Sequence, residues 1–246
     1  MSFDGQRVVV IGASAGIGEA TAKAFAARGA SVTITGRSKD RLDQAAQRIG
    51  YPVEVAELDA TDRAALDAFF AGTATVDHLV LTASPGAVGS GPFAGLGEAA
   101  LRQAFDGKVF AHVKAFQAAL PRLRPDGSVT IVSAASARSA FAGTAGLAAA
   151  NGALEALVAP LAVELAPLRV NAVSPGVIDT QWWSGMPEDQ RRAFFGAAAA
   201  ATPVRRVGSP EDVADAIVYL AGAGFVSGTV LECTGGSNLT AAALAG

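Results

Sequence analysis

The residues best suited to chemistry come early. The apolar run Arg7-Val8-Val9-Val10-Ile11 passes through Gly12-Ala13-Ser14-Ala15-Gly16-Ile17-Gly18 into the Ala-rich stretch that begins at Glu19. A buried strand, three spaced glycines and a helix, in that order, form a site for a dinucleotide pyrophosphate. Gly12 permits the tight turn out of the strand, Gly16 lets backbone N–H groups approach phosphate oxygens, and Gly18 lets the helix pack closely on the strand. The helix N-terminus then faces the anion. In a chain with 28 glycines the spacing alone equally describes an ordinary turn, so the flanking strand and helix carry the assignment.

The next apolar run, Ser31-Val32-Thr33-Ile34-Thr35, ends in Gly36-Arg37-Ser38. A site for NAD places a carboxylate there to accept from the adenosine ribose, and none is present. An arginine at a strand end meets a 2′-phosphate bidentately, and Ser14 and Ser38 add hydroxyl donors, so the pattern favours NADP(H). The alternative for Arg37 is a solvated surface charge.

Around these residues the chain sets its own bounds. Its 246 residues, 51% hydrophobic, can bury one large core, and no linker or charge run divides them, so a single domain over residues 1–246 is expected. A net charge of −3 supplies no basic field for nucleic acid or an anionic membrane. No basic and apolar leader opens the chain, and no apolar run approaches the roughly 18 residues of a spanning helix, which points to a cytoplasmic protein. Cys233 is the only cysteine, which excludes an internal disulfide, and no metal site is expected.

Short runs rich in Val, Ile, Leu and Thr alternate with Ala-rich helical stretches, the pattern of an α/β Rossmann-type fold: a doubly wound parallel sheet of about seven strands covered by helices on both faces. The strands fall near 7–12, 31–35, 53–57, 77–83, 127–133, 168–174 and 229–232. The helices fall near 16–28, 39–48, 61–71, 98–122, 145–165 and 210–222. Ligand belongs at the strand carboxyl ends, where the winding reverses. The long irregular connection over residues 176–202 carries Trp182, Trp183, Met186, Phe194 and Phe195, and reads as a substrate lid or as aromatics stapling a short helix to the surface.

Gly12-x-x-x-Gly16-Ile17-Gly18, Asp59-Ala60-Thr61, Arg169-Val-Asn-Ala-Val-Ser-Pro175-Gly176-Val-Ile178-Asp-Thr180 and Gly208-Ser-Pro-Glu-Asp-Val-Ala together resemble the short-chain dehydrogenase/reductase family, over essentially the whole chain. The resemblance implies a nicotinamide dinucleotide site in which Asp59 and Ala60 flank the adenine. Pro175, Gly176, Ile178 and Thr180 would hold the nicotinamide end, and Ala83 is a further cofactor-binding position. Many NADP-preferring relatives carry a basic residue just before the middle glycine; here it is Ala15.

The family's hydride chemistry uses an Asn, Ser, Tyr and Lys tetrad, and this chain departs from it at every position. Leu147 stands at the Tyr position, Asn151 at the Lys position, Ala134 at the Ser position and Lys108 at the Asn position. Ser133, one residue before Ala134, points the other way if the strand continues. Two readings follow. In one the chain is an NADP(H)-dependent oxidoreductase acting on a hydrophobic carbonyl or alcohol, with Lys108 as the proton donor; Lys108 equally suits a lysine whose head escapes to solvent. In the other it binds NADP(H) without hydride transfer, as a regulatory or sensor protein. His112 shares the face of Lys108, and both it and His78 read as structural. Small residues at Ala148, Ala149, Gly152, Ala153 and Ala156 suggest a helix face where copies of the chain meet, giving a dimer or tetramer, or one that serves only packing on the sheet. Pro160 should kink that helix.

Overall fold

The computed structural model describes residues 1–240. Seven strands form one parallel sheet in the order β3-β2-β1-β4-β5-β6-β7: β1 (Arg7–Ile11), β2 (Ser31–Gly36), β3 (Glu54–Glu57), β4 (Val76–Leu81), β5 (Leu123–Val132), β6 (Arg169–Pro175) and β7 (Val230–Cys233). The order reverses at β1, whose neighbours are β2 and β4. The crevice therefore opens between the carboxyl ends of β1 and β4.

The helices are α1 (Gly16–Ala26), α2 (Lys39–Ile49), α3 (Arg63–Gly72), α4 (Glu98–Ala104), α5 (Ala111–Ala119), α6 (Ala145–Glu164), α7 (Glu188–Ala201), α8 (Pro210–Gly222) and α9 (Ser237–Thr240). Two cores follow from the two faces of a sheet whose strands alternate sides. On one face Val8, Val10, Ile34 and Val173 pack against Phe25 of α1, Leu42 of α2 and Ile217 of α8. On the other, Val9, Leu79, Ile131 and Val170 pack against Phe70 of α3, Phe116 of α5 and Leu154 of α6. Both sides are buried, which is why the strands read as near-continuous apolar runs.

Three expectations need correction. The single helix over 98–122 is interrupted by a π-helical segment, Phe105–Phe110. Gly107 sits there because a Cβ at that position would lie 2.7 Å from the Cβ of Pro85, and π turns recur at functional sites. The connection 176–202 is not irregular throughout: Glu188–Ala201 forms α7, a helix whose Ala-rich end gave no apolar stripe to read. An apolar run of membrane-spanning length also exists, since α6 has 20 residues with mean hydropathy 1.5. Gly146, Ala150, Asn151, Leu154 and Val158 of α6 are buried, and the helix packs on β6, so its apolar character serves the core on that side.

His78 is buried with both ring nitrogens bonded, Nδ1 to Ser128 Oγ at 2.8 Å and Nε2 to Gln6 Oε1 at 2.7 Å. Cys233 ends β7, half-buried, its thiol donating to the Asp212 carbonyl at 3.5 Å.

Candidate active site

The glycine loop is shaped by what a side chain would strike. Gly12 has φ +93°, and a Cβ on it would lie 2.8 Å from the Ala83 amide nitrogen. The first turn of the loop thus lies directly against the end of β4. A Cβ on Gly18 would overlap the Gly12 carbonyl and reach within 2.7 Å of Thr82 Oγ1. That hydroxyl donates to the Ile11 and Gly12 carbonyls at 2.9 and 3.0 Å, locking the loop to the crevice. Gly16, φ +59°, faces Thr180, whose Cβ and Cγ2 would stand 3.3 Å from an added Cβ. Ala15 is the N-cap of α1 and makes no side-chain capping bond, so the N–H groups of the first turn, at Ile17 and Gly18, are open to an anion.

Arg48 was not foreseen. It donates to both oxygens of Glu19, at 2.9 and 2.7 Å, and to the Ser14 carbonyl at 3.3 Å, tying α2 to the glycine loop. Only the packing of α1 against α2 brings these residues together.

At the adenine end Arg37 is exposed, and Ser38 caps α2 by accepting from the Arg41 amide at 3.4 Å. Asp59 Oδ1 accepts from the Thr61 amide at 2.9 Å and the Thr61 hydroxyl at 2.8 Å. The Thr61 amide bond, with help from the Arg37 and Lys114 charges, holds the Asp59 carboxyl below the usual carboxylate range. Ala60 beside it is buried. Arg37, Ser38, Asp59 and Ala60 thus follow the ends of the neighbouring strands β2 and β3.

At the other end Pro175 closes β6, and the Gly176 amide donates to the Cys233 carbonyl at 3.0 Å. Ile178 is buried and bridges to Gly208. Its carbonyl accepts from Trp183 Nε1 at 2.9 Å, and Thr180 Oγ1 accepts from the Trp182 amide. Trp183 lies 4.5 Å from Trp182, 4.8 Å from Phe194 and 5.9 Å from Phe195 between ring centres, one aromatic cluster joining the turn to α7.

The tetrad positions fall around the ends of β4 and β5. Lys108 lies in the π segment, half-buried, with Nζ 3.5 Å from the Ser133 carbonyl. Loss of hydration pushes its pKa down to about 8. His112, buried on α5, bonds through Nε2 to the Ala83 carbonyl at 2.9 Å. Burial, reinforced by the Lys108 charge, lowers its pKa to about 3, so the ring is neutral. A carbonyl only accepts, so Nε2 carries the proton and Nδ1 is a bare acceptor; it has no partner.

Asn151 is buried on α6, its Nδ2 donating to the Leu147 carbonyl at 2.9 Å and to Ser136 Oγ at 3.1 Å. Its Oδ1 is buried without a partner. Leu147 presents an aliphatic group at the position four residues earlier, and Ala134 a methyl at the turn after β5. β5 ends at Val132, so strand alternation does not set Ser133; its hydroxyl is engaged away from Lys108, by Glu155 Oε1 at 2.7 Å and the Val173 carbonyl at 3.3 Å. Ser136 is the hydroxyl the sequence reading missed. Counting from the tetrad spacing lands on Ala134, and only the 3₁₀ turn Ala135–Ala137 brings Ser136 to Asn151. The site thus offers one ammonium and two unsatisfied acceptors, without a phenol.

These features define a dinucleotide-binding oxidoreductase scaffold. The enoyl-(acyl carrier protein) reductase family profile matches residues 12–238. A short-chain dehydrogenase/reductase of Stachybotrys chlorohalonatus is 32% identical over 96% of this chain and 98% of its own length. The cis-4-hydroxycyclohexanecarboxylate dehydrogenase of Sinomonas cyclohexanicum is 34% identical over 96% and 97%. Among solved structures, a small-chain dehydrogenase in complex with NADPH superposes with a TM-score of 0.82 at 31% identity, covering 96% of this chain and all of that one. The chain belongs to the short-chain dehydrogenase/reductase family.

Proposed function

We propose that the protein is an NADP(H)-dependent oxidoreductase acting on a hydrophobic carbonyl or alcohol, with Lys108 as the proton-bearing group, and that it works in the cytoplasm. The cradle fits the cofactor: Gly12 lies where any side chain would strike Ala83, and α1 begins with an uncapped N-terminus. The NADPH-bound relative supports the choice of cofactor. Gly16, Ile17 and Gly18 would hold the pyrophosphate, Arg37, Ser14 and Ser38 the 2′-phosphate, Asp59 and Ala60 the adenine, and Ala83, Pro175, Gly176, Ile178 and Thr180 the nicotinamide end. When bound, NADPH supplies the hydride.

The observation that carries the reading is the position of Lys108, whose ammonium lies at the end of β5 with a depressed pKa of about 8. Near neutral pH it can still give up a proton, unlike a free lysine near ~10.4. The residues around it hold that proton in place: the Ser133 carbonyl accepts from Nζ, and neutral His112 keeps the Ala83 carbonyl turned toward its own ring. Trp182, Trp183, Phe194 and Phe195 would form an apolar lid over the substrate.

A second reading, a cofactor-binding sensor with no turnover, is favoured by Leu147, which gives the substrate oxygen no phenol. One experiment separates them. NADPH oxidation is followed across a panel of alicyclic and aromatic ketones, with wild type and Lys108→Met, from pH 6 to 10. Turnover that declines above about pH 8 and falls at least ~10²-fold in Lys108→Met, with NADPH affinity within a few-fold, supports Lys108 as the acid. Binding without turnover on any substrate supports the sensor.

A further inference from the structure

We infer that Glu155 is a positioning residue of the site: it staples both ends of the turn 133–138 so that the Ser133 carbonyl is held against the Lys108 ammonium. The inference rests on Lys108 being the functional group of the site.

The turn is caught at each end by one carboxylate. Ser133 Oγ donates to Glu155 Oε1 at 2.7 Å, and Arg138 Nε donates to Glu155 Oε2 at 2.8 Å. The Ser133 amide is fixed separately, donating to the Val173 carbonyl at 3.0 Å. The Ser133 hydroxyl also lies 3.3 Å from that same Val173 carbonyl, so Glu155 and β6 share it. With the start of the turn held by these bonds and its far end held through Arg138, the Ser133 carbonyl faces Lys108 Nζ. Between the stapled ends, Ser136 turns its hydroxyl to Asn151. Asn151 and Glu155 are one turn apart on α6, so a single helix face sets the whole segment.

Glu155 is itself well placed to act as an anchor. Its side chain is 7% exposed, although it carries a charge, and its charge is matched by Arg138. A buried carboxylate with both oxygens bonded cannot rotate without giving up both bonds. Arg138 also donates through Nη1 to Glu232 on β7 at 3.0 Å, and Glu232 accepts from Asn238. The staple therefore extends from α6 through the turn to the last strand. The groups placed against Lys108 are neutral His112 from its own helical run and the Ser133 carbonyl just after β5; α6 packs against the π segment as well. Glu155 acts on Lys108 through Ser133.

The test reads Lys108 directly. The chain has four lysines, at 23, 39, 108 and 114, so reductive ¹³C-methylation gives a spectrum in which the Lys108 signal is assigned by Lys108→Arg. Its titration is followed in wild type, Glu155→Leu, Glu155→Gln and Ser133→Ala. Glu155→Gln removes the charge and keeps an oxygen acceptor for the Ser133 hydroxyl; Ser133→Ala keeps the charge and removes the grip. Positioning predicts that Ser133→Ala and Glu155→Leu each lower the Lys108 midpoint by about half a pH unit or more, that they are non-additive when combined, and that Glu155→Gln stays near wild type. Equal shifts in Glu155→Gln and Glu155→Leu, with none in Ser133→Ala, would mean that only distant charge is felt, and would overturn the positioning role. An unmoved midpoint in all three would overturn it as well. Should Glu155→Leu fail to fold, Glu155→Ala replaces it, since Ser133→Ala also removes the contact of that hydroxyl with the Val173 carbonyl and does not isolate Glu155. Because the readout is not turnover, a failed staple and an inactive Lys108 remain distinguishable.

Discussion

Asn151 Nδ2 donates to Ser136 Oγ across 3.1 Å, while the other end of the same amide, Oδ1, is buried with no partner. One side of this side chain is anchored and the other is left open, the arrangement expected of a group that meets a ligand donor. An unsatisfied buried acceptor costs about 1–3 kcal/mol, which largely offsets what the Nδ2 bonds contribute. Asn151→Leu should therefore change the ligand-free unfolding free energy in urea by no more than ~1 kcal/mol, while lowering NADPH affinity or turnover at least tenfold. A loss of stability above ~3 kcal/mol with intact binding would make Asn151 a core residue only.

Arg37 is exposed at the end of β2, near enough to Asp59 to help hold that carboxyl ionised. Its guanidinium should donate to the 2′-phosphate that separates NADP from NAD. NADPH should bind about tenfold or more tightly than NADH by calorimetry, and Arg37→Ala should remove most of that preference. Equal affinities in the wild type would end the argument.

His78 has its pKa pushed down to about 4 by burial, between Phe25 in a stacked ring at 6.0 Å and Phe3 edge-on at 5.4 Å. His112 is lowered in the same direction. A folded pKa below the unfolded value of about 6.5 means that the unfolded chain binds a proton the folded one refuses. Stability is then fully present above pH 6.5 and is lost as the pH falls toward 4. The loss should be roughly 1 to 3 kcal/mol per histidine, read from urea midpoints. His78→Gln should flatten the decline, and an identical slope in that variant would show that His78 does not cause it.

The outward face of α6 carries Ala149 and Ala156, both exposed, and Val163, 80% exposed. We propose that two copies of the chain meet there, since small side chains permit close helix approach. Light scattering at micromolar concentration should give a dimer or tetramer, and Ala149→Arg with Ala156→Arg should give monomers that keep their circular dichroism. A monomeric wild type would refute it.

The alternation of apolar runs with Ala-rich stretches was enough to place the seven strands and the order of the helices that cover them. The reason is physical: a parallel strand buried on both faces must be apolar throughout, whatever its neighbours. Gly12, Gly16 and Gly18 were equally legible from their spacing between a strand and a helix, although what bars a side chain at Gly12 and Gly18 is contact with Ala83 and Thr82, which only the fold brings near. The absence of Tyr and Lys from positions 147 and 151 could also be read directly.

What lay beyond the sequence depends on contacts between distant segments. Helix α7 escaped notice because its Ala-rich end has no apolar period, and the break in the helix at Phe105–Phe110 is fixed by Gly107 meeting Pro85. Arg48 reaches Ser14 across 34 positions of sequence, and Glu155 reaches Ser133 across 22. Ser136 came to Asn151 through a 3₁₀ turn that no spacing rule marks. The chain alone determined which chemical groups were present and which were missing. Only the tertiary structure decided which of them share one volume, because burial and hydrogen-bond geometry, which set the state of Lys108 and His112, do not exist until the sheet is assembled.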